Sequence, residues 1–173
     1  VLRSSAQHLL RLIDDVLDFS KIEAGRMTLE QVVFDVRRTV TSGIHTLRPA
    51  AAQKELELDV QLDDGTPACL LGDPHRLRQV LVNLTGNAIK FTNEGRVAVH
   101  VAAVTLDPDQ ARLRFEVRDT GIGIPADKQQ LVFDAFAQAD GSTTRQYGGT
   151  GLGLAISSQL VTLMGGSLQV SSE

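Results

Sequence analysis

Residues 73–91 constrain the fold of this chain more than any other stretch. Asp73 is a favoured N-cap, and Pro74 suits the first helical position, where its missing N–H leaves no bond unmade. Leu77, Leu81, Leu84, Ala88 and Phe91 then recur at spacings of 4, 3, 4 and 3, which predicts a helix with one buried face. A second stripe, Gln79, Asn83, Asn87 and Lys90, runs along a different face. Asn is a poor helix former, so two of them one turn apart inside a helix ask for a reason. A carboxamide oxygen is a hard, neutral ligand suited to Mg²⁺, which takes one or two protein oxygens and completes its shell with phosphate and water. A nearby lysine ammonium meets phosphate as a point charge. On spacing alone, a solvated polar face remains the simpler reading.

The rest of the chain alternates helix and strand signals. Leu2, Ala6, Leu9, Ile13 and Val16 form a heptad seam on a first helix. Such a seam seeks another helix, either on its own domain or in a bundle with a second chain. Gly25 is a natural stop. Residues 27–34 read as a strand, 36–53 as a helix, 56–60 as a half-buried strand and 69–71 as a short one. Residues 96–105 and 111–118 read as a hairpin around Asp107-Pro108-Asp109, and 151–164 as a last helix before a strand at 167–170. This order predicts an α/β sandwich with a mixed sheet and helices on one face.

Two further segments carry chemistry. Asp119-Thr120-Gly121-Ile122-Gly123 follows a strand directly, so a carboxylate stands at the strand's end beside glycines that allow close backbone approach. That carboxylate can accept from an amino group such as adenine's, although such a loop is more often a plain turn. Gly148-Gly149-Thr150-Gly151-Leu152-Gly153 opens the last helix, whose N–H groups and positive dipole end suit a phosphate. A flexible hinge is the alternative. No Walker lysine follows, and no strand leads directly in, so neither a P-loop nor a dinucleotide fingerprint is present. Between these segments lie Phe133 and Phe136, then a polar stretch long enough for a lid, with the phenylalanines expected to anchor its base to the core.

In that order the motifs resemble the boxes of sensor histidine kinases. The run RLRQVLVNLTGNAIKFT at 76–92 resembles the N box, residues 119–123 the G1 box, Phe133 and Phe136 the F box, and residues 149–154 the G2 box. Residues 17–25 resemble the end of the second dimerisation helix and its linker. The resemblance implies a two-layer Bergerat-type sandwich, shared with gyrase and Hsp90. It divides the chain into a partial dimerisation segment at 1–25 and a catalytic ATP-binding domain at 26–173. By the same resemblance Asn87 coordinates Mg²⁺, Asp119 reads the adenine amino group, Lys90 lies near the phosphates, and Gly121 and Gly123 shape the adenine side. Gly149, Thr150, Gly151, Leu152 and Gly153 belong to the phosphate side and the lid hinge.

The implied function is transfer of the γ-phosphoryl group of MgATP to a histidine. The family's ATPase relatives carry a glutamate base one turn before the metal-binding asparagine. Here that place is Asn83, whose carboxamide takes no proton at neutral pH. A hydrolytic ATPase of the same superfamily and a nucleotide-binding scaffold stay open as alternatives. The expected partners are a second copy through the N-terminal helix, and a response regulator or fused receiver domain. The family's acceptor histidine sits on a helix absent from these residues, so His8, His45, His75 and His100 are expected not to be acceptors. Val1 falls within a helix, and residues 171–173 stop where the family usually continues, so the chain is expected to be part of a longer protein.

Composition excludes other classes. Net charge is −4 with no basic block, which argues against a nucleic-acid face. No apolar run approaches the roughly 20 residues that cross a bilayer, so no direct membrane contact is expected of these residues. Cys69 is the only cysteine, which suits a reducing, cytoplasmic setting.

Overall fold

The computed structural model describes residues 2–107, 109–136 and 151–172. In chain order the elements are α1 (Leu2–Glu23), β1 (Val32–Asp35), α2 (Val36–His45), α3 (Arg48–Gln53), β2 (Glu57–Leu62), β3 (Cys69–Gly72), α4 (Pro74–Phe91), β4 (Arg96–Leu106), β5 (Ala111–Asp119) and α5 (Gly153–Leu163). A 3-10 turn spans Leu131–Phe133. The chain packs as two compact units, Glu30–Gly123 and a second made of Val1–Leu29 with Ile124–Glu173.

In the Glu30–Gly123 unit, β4 is the central strand, parallel to β2 and antiparallel to β5. The mixed sheet therefore has the order β2-β4-β5, while β1 and β3 form a separate antiparallel ribbon. Val97, Val99 and Val101 alternate along β4 and are buried. Val99 and Val101 join Val36, Val40 and Ile44 of α2 and Leu81 of α4 in one apolar cluster. Each such side chain contributes about 1.5–3 kcal/mol on full burial. A second cluster of Ala51, Leu56, Ala88, Ile89 and Val97 carries the core toward the far end of α4. One sheet face is thus covered by helices, as the periodicities predict.

α4 matches its expected bounds because its start is chemically fixed. Asp73 Oδ1 accepts from the N–H groups of His75 (3.0 Å) and Arg76 (2.9 Å), and its Oδ2 accepts from Glu30 N–H (3.0 Å). Its covered arc is wider than one stripe. Val80, Leu81, Thr85, Ala88 and Ile89 are the buried residues, while Leu77, Leu84 and Phe91 are only half-buried.

Several expectations need correction. The single helix expected at 36–53 is two, because Pro49 lies in the first turn of α3, where it has no N–H to continue α2's bonding. The strand expected at 27–34 is confined to the four residues that pair with β3. The strand expected at 167–170 is not formed among the described residues: alternation is only a propensity, and no ladder partner accompanies it.

In the other unit, α1 ends where Gly25 predicts. Gly25 takes φ +64, its N–H donates to Ile22 O (2.9 Å), and Arg26 N–H reaches back to Lys21 O (2.8 Å). This is the Schellman closure of a helix, and Gly165–Gly166 repeats it after α5. Among the described residues, no helix is long and apolar enough to cross a membrane.

Candidate functional site

Within Glu30–Gly123 the polar stripe of α4 is not a freely solvated face. Asn83, Asn87 and Lys90 are all half-buried. Gln79 accepts a hydrogen bond from Arg76 Nη1 (2.7 Å), which fixes the upstream end of the stripe. Lys90 Nζ lies 4.7 Å from the centroid of the Phe91 ring. Desolvation by burial lowers the Lys90 ammonium from its ordinary pKa of 10.5, so a bound anion would favour its charged form.

The Asp119 loop meets the end of α4. Asp119 is exposed and terminates β5, opposite Val97 at the start of β4. Its Oδ1 accepts from Gly121 N–H (2.9 Å), which holds the carboxylate over its own loop. Ile122 N–H donates to Phe91 O (3.3 Å), so the loop is tied to the last turn of α4. Gly121 is pressed into this junction. A Cβ there would lie 2.6 Å from Phe91 O and 2.8 Å from Asp119 Oδ1. Gly123 takes φ +71, in the left-handed region that favours glycine. Thr120 locks the base of the loop, its hydroxyl accepting from Arg96 N–H (3.1 Å). The structure therefore brings Asn87, Lys90, Asp119, Gly121 and Gly123 to one end of this unit.

A cleft of about 470 Å³ lies beside the same loop, lined by Glu55, Glu57, Gly95, Arg96 and Thr120. Of the 119–123 loop it includes Thr120, but neither Asp119 nor the glycines, and none of the α4 stripe. Among the described residues, no group of three or more His, Cys, Asp or Glu is arranged to hold a metal ion. A metal at Asn87 would thus depend on oxygens of its ligand, the donor chemistry expected for Mg²⁺ on a nucleotide.

The other predicted residues lie in the second unit. Gly151 takes φ +71, and its carbonyl accepts from Phe136 N–H (3.1 Å). Leu152 is buried, supplies no side-chain cap to α5, and leaves Gly153 as the first residue of that helix. A helix start without a capping side chain is suited to an anion. Phe133 is half-buried, but Phe136 is 66% exposed, so it does not anchor the segment to the core as expected. It takes φ +66 and packs edge-on against Phe19 of α1, centroids 6.0 Å apart. Gly149 and Thr150 lie outside the described residues.

Sequence reasoning missed Lys54. Its ammonium caps the end of α4, from a position 35 or more residues earlier in the chain. No local pattern marks it, because the contact exists only once α3 and α4 are packed.

The chain is similar to known proteins over nearly its whole length. The family model described as "Histidine kinase-, DNA gyrase B-, and HSP90-like ATPase" matches residues 72–173. The chain is 46% identical over 171 residues to the sensor protein GacS of Pseudomonas syringae pv. syringae, covering 99% of this chain and 19% of that protein. It is 44% identical over 169 residues to the signal transduction histidine-protein kinase BarA of Escherichia coli K12, covering 98% and 18%. The chain thus spans about a fifth of the length of these relatives. Among solved structures, full-length ShkA in complex with AMPPNP superposes with a TM-score of 0.82 at 38% identity, over 99% of this chain and 34% of that one.

Proposed function

Because the chain belongs to the histidine kinase-, DNA gyrase B-, and HSP90-like ATPase family, we propose that it binds MgATP and presents the γ-phosphoryl group to a histidine of a sensor kinase. The observation that carries this reading is the Phe91 carbonyl. It accepts from Ile122 N–H, and so joins the turn bearing Lys90, one turn beyond Asn87, to the loop bearing Asp119. The AMPPNP bound by the ShkA relative supports a nucleotide as the ligand.

In this reading Asp119 accepts from the adenine amino group, and Gly121 lets the ligand and the loop backbone approach closely. Lys90 meets the phosphates from a desolvated position, where its charge acts strongly. Asn87 offers a neutral oxygen to Mg²⁺, which would neutralise charge on the phosphates. The resemblance alone assigns Gly149, Thr150, Gly151 and Gly153 to the phosphates. Asn83 sits where a water-activating carboxylate would be needed, and a carboxamide cannot take up the proton. Catalysis then rests on positioning and charge neutralisation, with an external imidazole as nucleophile.

The exposed seam of α1 supports pairing with a second copy. Leu9, Ile13 and Val16 are between 48% and 59% exposed. A response regulator or fused receiver domain is the acceptor downstream of the histidine.

Titration with a fluorescent ATP analogue, with and without Mg²⁺, tests the proposal. Binding is expected to need Asp119 and to disappear in Asp119→Asn. No binding by the wild-type chain would favour a scaffold instead. Appreciable steady-state hydrolysis would favour an ATPase, and robust labelling of one of the four histidines would refute an external acceptor.

A further inference from the structure

The last turn of α4 is held by a side chain that belongs to none of the boxes. Lys54 Nζ lies 2.9 Å from Ile89 O, 2.7 Å from Lys90 O and 3.0 Å from Thr92 O. These are the carbonyls that a helix leaves without intrahelical partners, and they carry the negative end of its dipole. One ammonium therefore satisfies three acceptors and offsets that partial charge. Phe91 O, the remaining carbonyl of the turn, is the one that accepts from Ile122 of the Asp119 loop.

Lys54 is delivered from a well-fixed turn. It follows α3, and its own N–H donates to Ala51 O (3.0 Å). Leu56 N–H donates to the same carbonyl (3.0 Å), and Leu56 is buried in the second core cluster. Between them Glu55 takes φ +56, a conformation a non-glycine residue rarely adopts. The main chain turns sharply there while Leu56 enters the core and Lys54 reaches the helix end.

We infer that Lys54 is a positioning residue for the nucleotide. It fixes where the final turn of α4 stops, and with it the separation between the Asn87–Lys90 stripe and the Asp119 loop. Lys54 itself does not touch the ligand. Without the ammonium, three carbonyls at the end of α4 lose a shared donor, and the turn that carries Lys90 and docks Ile122 is no longer held to one geometry. Small displacements of this kind are costly in a site that must grip both ends of a ligand. The inference rests on the nucleotide reading given above.

The test compares the 173-residue chain with Lys54→Met, Lys54→Gln and Asp119→Asn. Each is titrated with a fluorescent ATP analogue in the presence of Mg²⁺, at a temperature where circular dichroism shows native helix content. Lys54→Met is expected to weaken binding about tenfold or more. Lys54→Gln keeps an NH2 donor group but drops the charge, and should fall between Lys54→Met and the wild type. A dissociation constant within about twofold of wild type in Lys54→Met, with only the melting temperature lowered, would show a purely structural role and overturn the inference. Wild-type affinity in Lys54→Gln overturns it too, even where Lys54→Met does not fold. Absence of binding by the wild-type chain is a distinct result: it removes the nucleotide reading, and this inference with it.

Discussion

Replacing Gly121 by alanine should cost far more than one methyl group implies. Gly121 is not in the left-handed region, so the penalty is steric rather than conformational. The new Cβ would lie 2.6 Å from Phe91 O, 2.8 Å from Asp119 Oδ1 and 3.0 Å from Phe91 C. Two of these neighbours are backbone atoms of the α4 terminus, which cannot swing aside. The loop must instead retreat by roughly 0.5–0.8 Å to restore ordinary contact distances. The Ile122–Phe91 hydrogen bond, already 3.3 Å long, would not survive that movement. Overpacking of this kind costs about 1–3 kcal/mol. The displaced loop carries Asp119, so nucleotide affinity should fall about tenfold or more. Gly86→Ala is the matched control. It sits between Asn83 and Asn87 in mid-α4 and, among the described residues, nothing beyond its own helix backbone and chain neighbours lies within 4 Å of its Cβ position, so the substitution should stabilise by roughly 0.5–1 kcal/mol. Urea unfolding and fluorescent-nucleotide titration of both variants give the two quantities. Equal behaviour of the two alanines, or unchanged affinity in Gly121→Ala, would refute the argument that the junction with Phe91 sets the site.

Other outcomes follow from the same geometry. Burial depresses the Lys90 pKa below 10.5, so affinity for the ATP analogue should hold steady at neutral pH and decline as pH rises through that lowered value, because binding must then also take up a proton. A wild-type pH profile no different from that of Lys90→Gln would contradict this. In the same alkaline window the unfolded chain holds more protons at Lys90 than the folded one, so this group makes stability rise with pH; the comparison is with Lys90→Met in urea. Asp73→Ala removes the acceptor of three backbone N–H groups at a buried cap and should destabilise by about 2–3 kcal/mol, read from the urea midpoint. Gly25→Ala meets open space among the described residues but has φ +64, so its cost should be conformational, about 1 kcal/mol by the same measurement.

What could be read in advance was what the chain states locally. Asp73-Pro74 and Gly25 are chemical instructions for a start and a stop, and α4 and the end of α1 obey them. The 96–105 and 111–118 alternation gave β4 and β5 to within a residue, since a hairpin's partner is its neighbour. The polar stripe of the candidate site stands out because asparagine inside a helix conflicts with local propensity. Long-range information was not legible. Strand 27–34 shrank to the stretch with a partner, the 167–170 alternation found no ladder among the described residues, and Val80 and Ile89 became core because α4 is covered over a wide arc. Phe136 was expected inward and is exposed, because apolar character specifies burial only as a tendency. Lys54 carries no local signal, because its acceptors lie 35 or more residues along the chain.

The sheet's connectivity bears on when the site comes into being. β4 and β5 close through a short turn, with Asp107 N–H donating to Gln110 O, whereas β4 meets β2 from roughly forty residues away. Pairing should nucleate at the hairpin tip and zip away from it, while the parallel pair waits on the intervening α4 crossover. Asp119 lies at the end of the hairpin remote from that tip, facing Val97, next to where Arg96 pairs with Glu57. The end that bears Asp119 is thus among the last regions to be assembled, and mutations there should accelerate unfolding more than they slow folding.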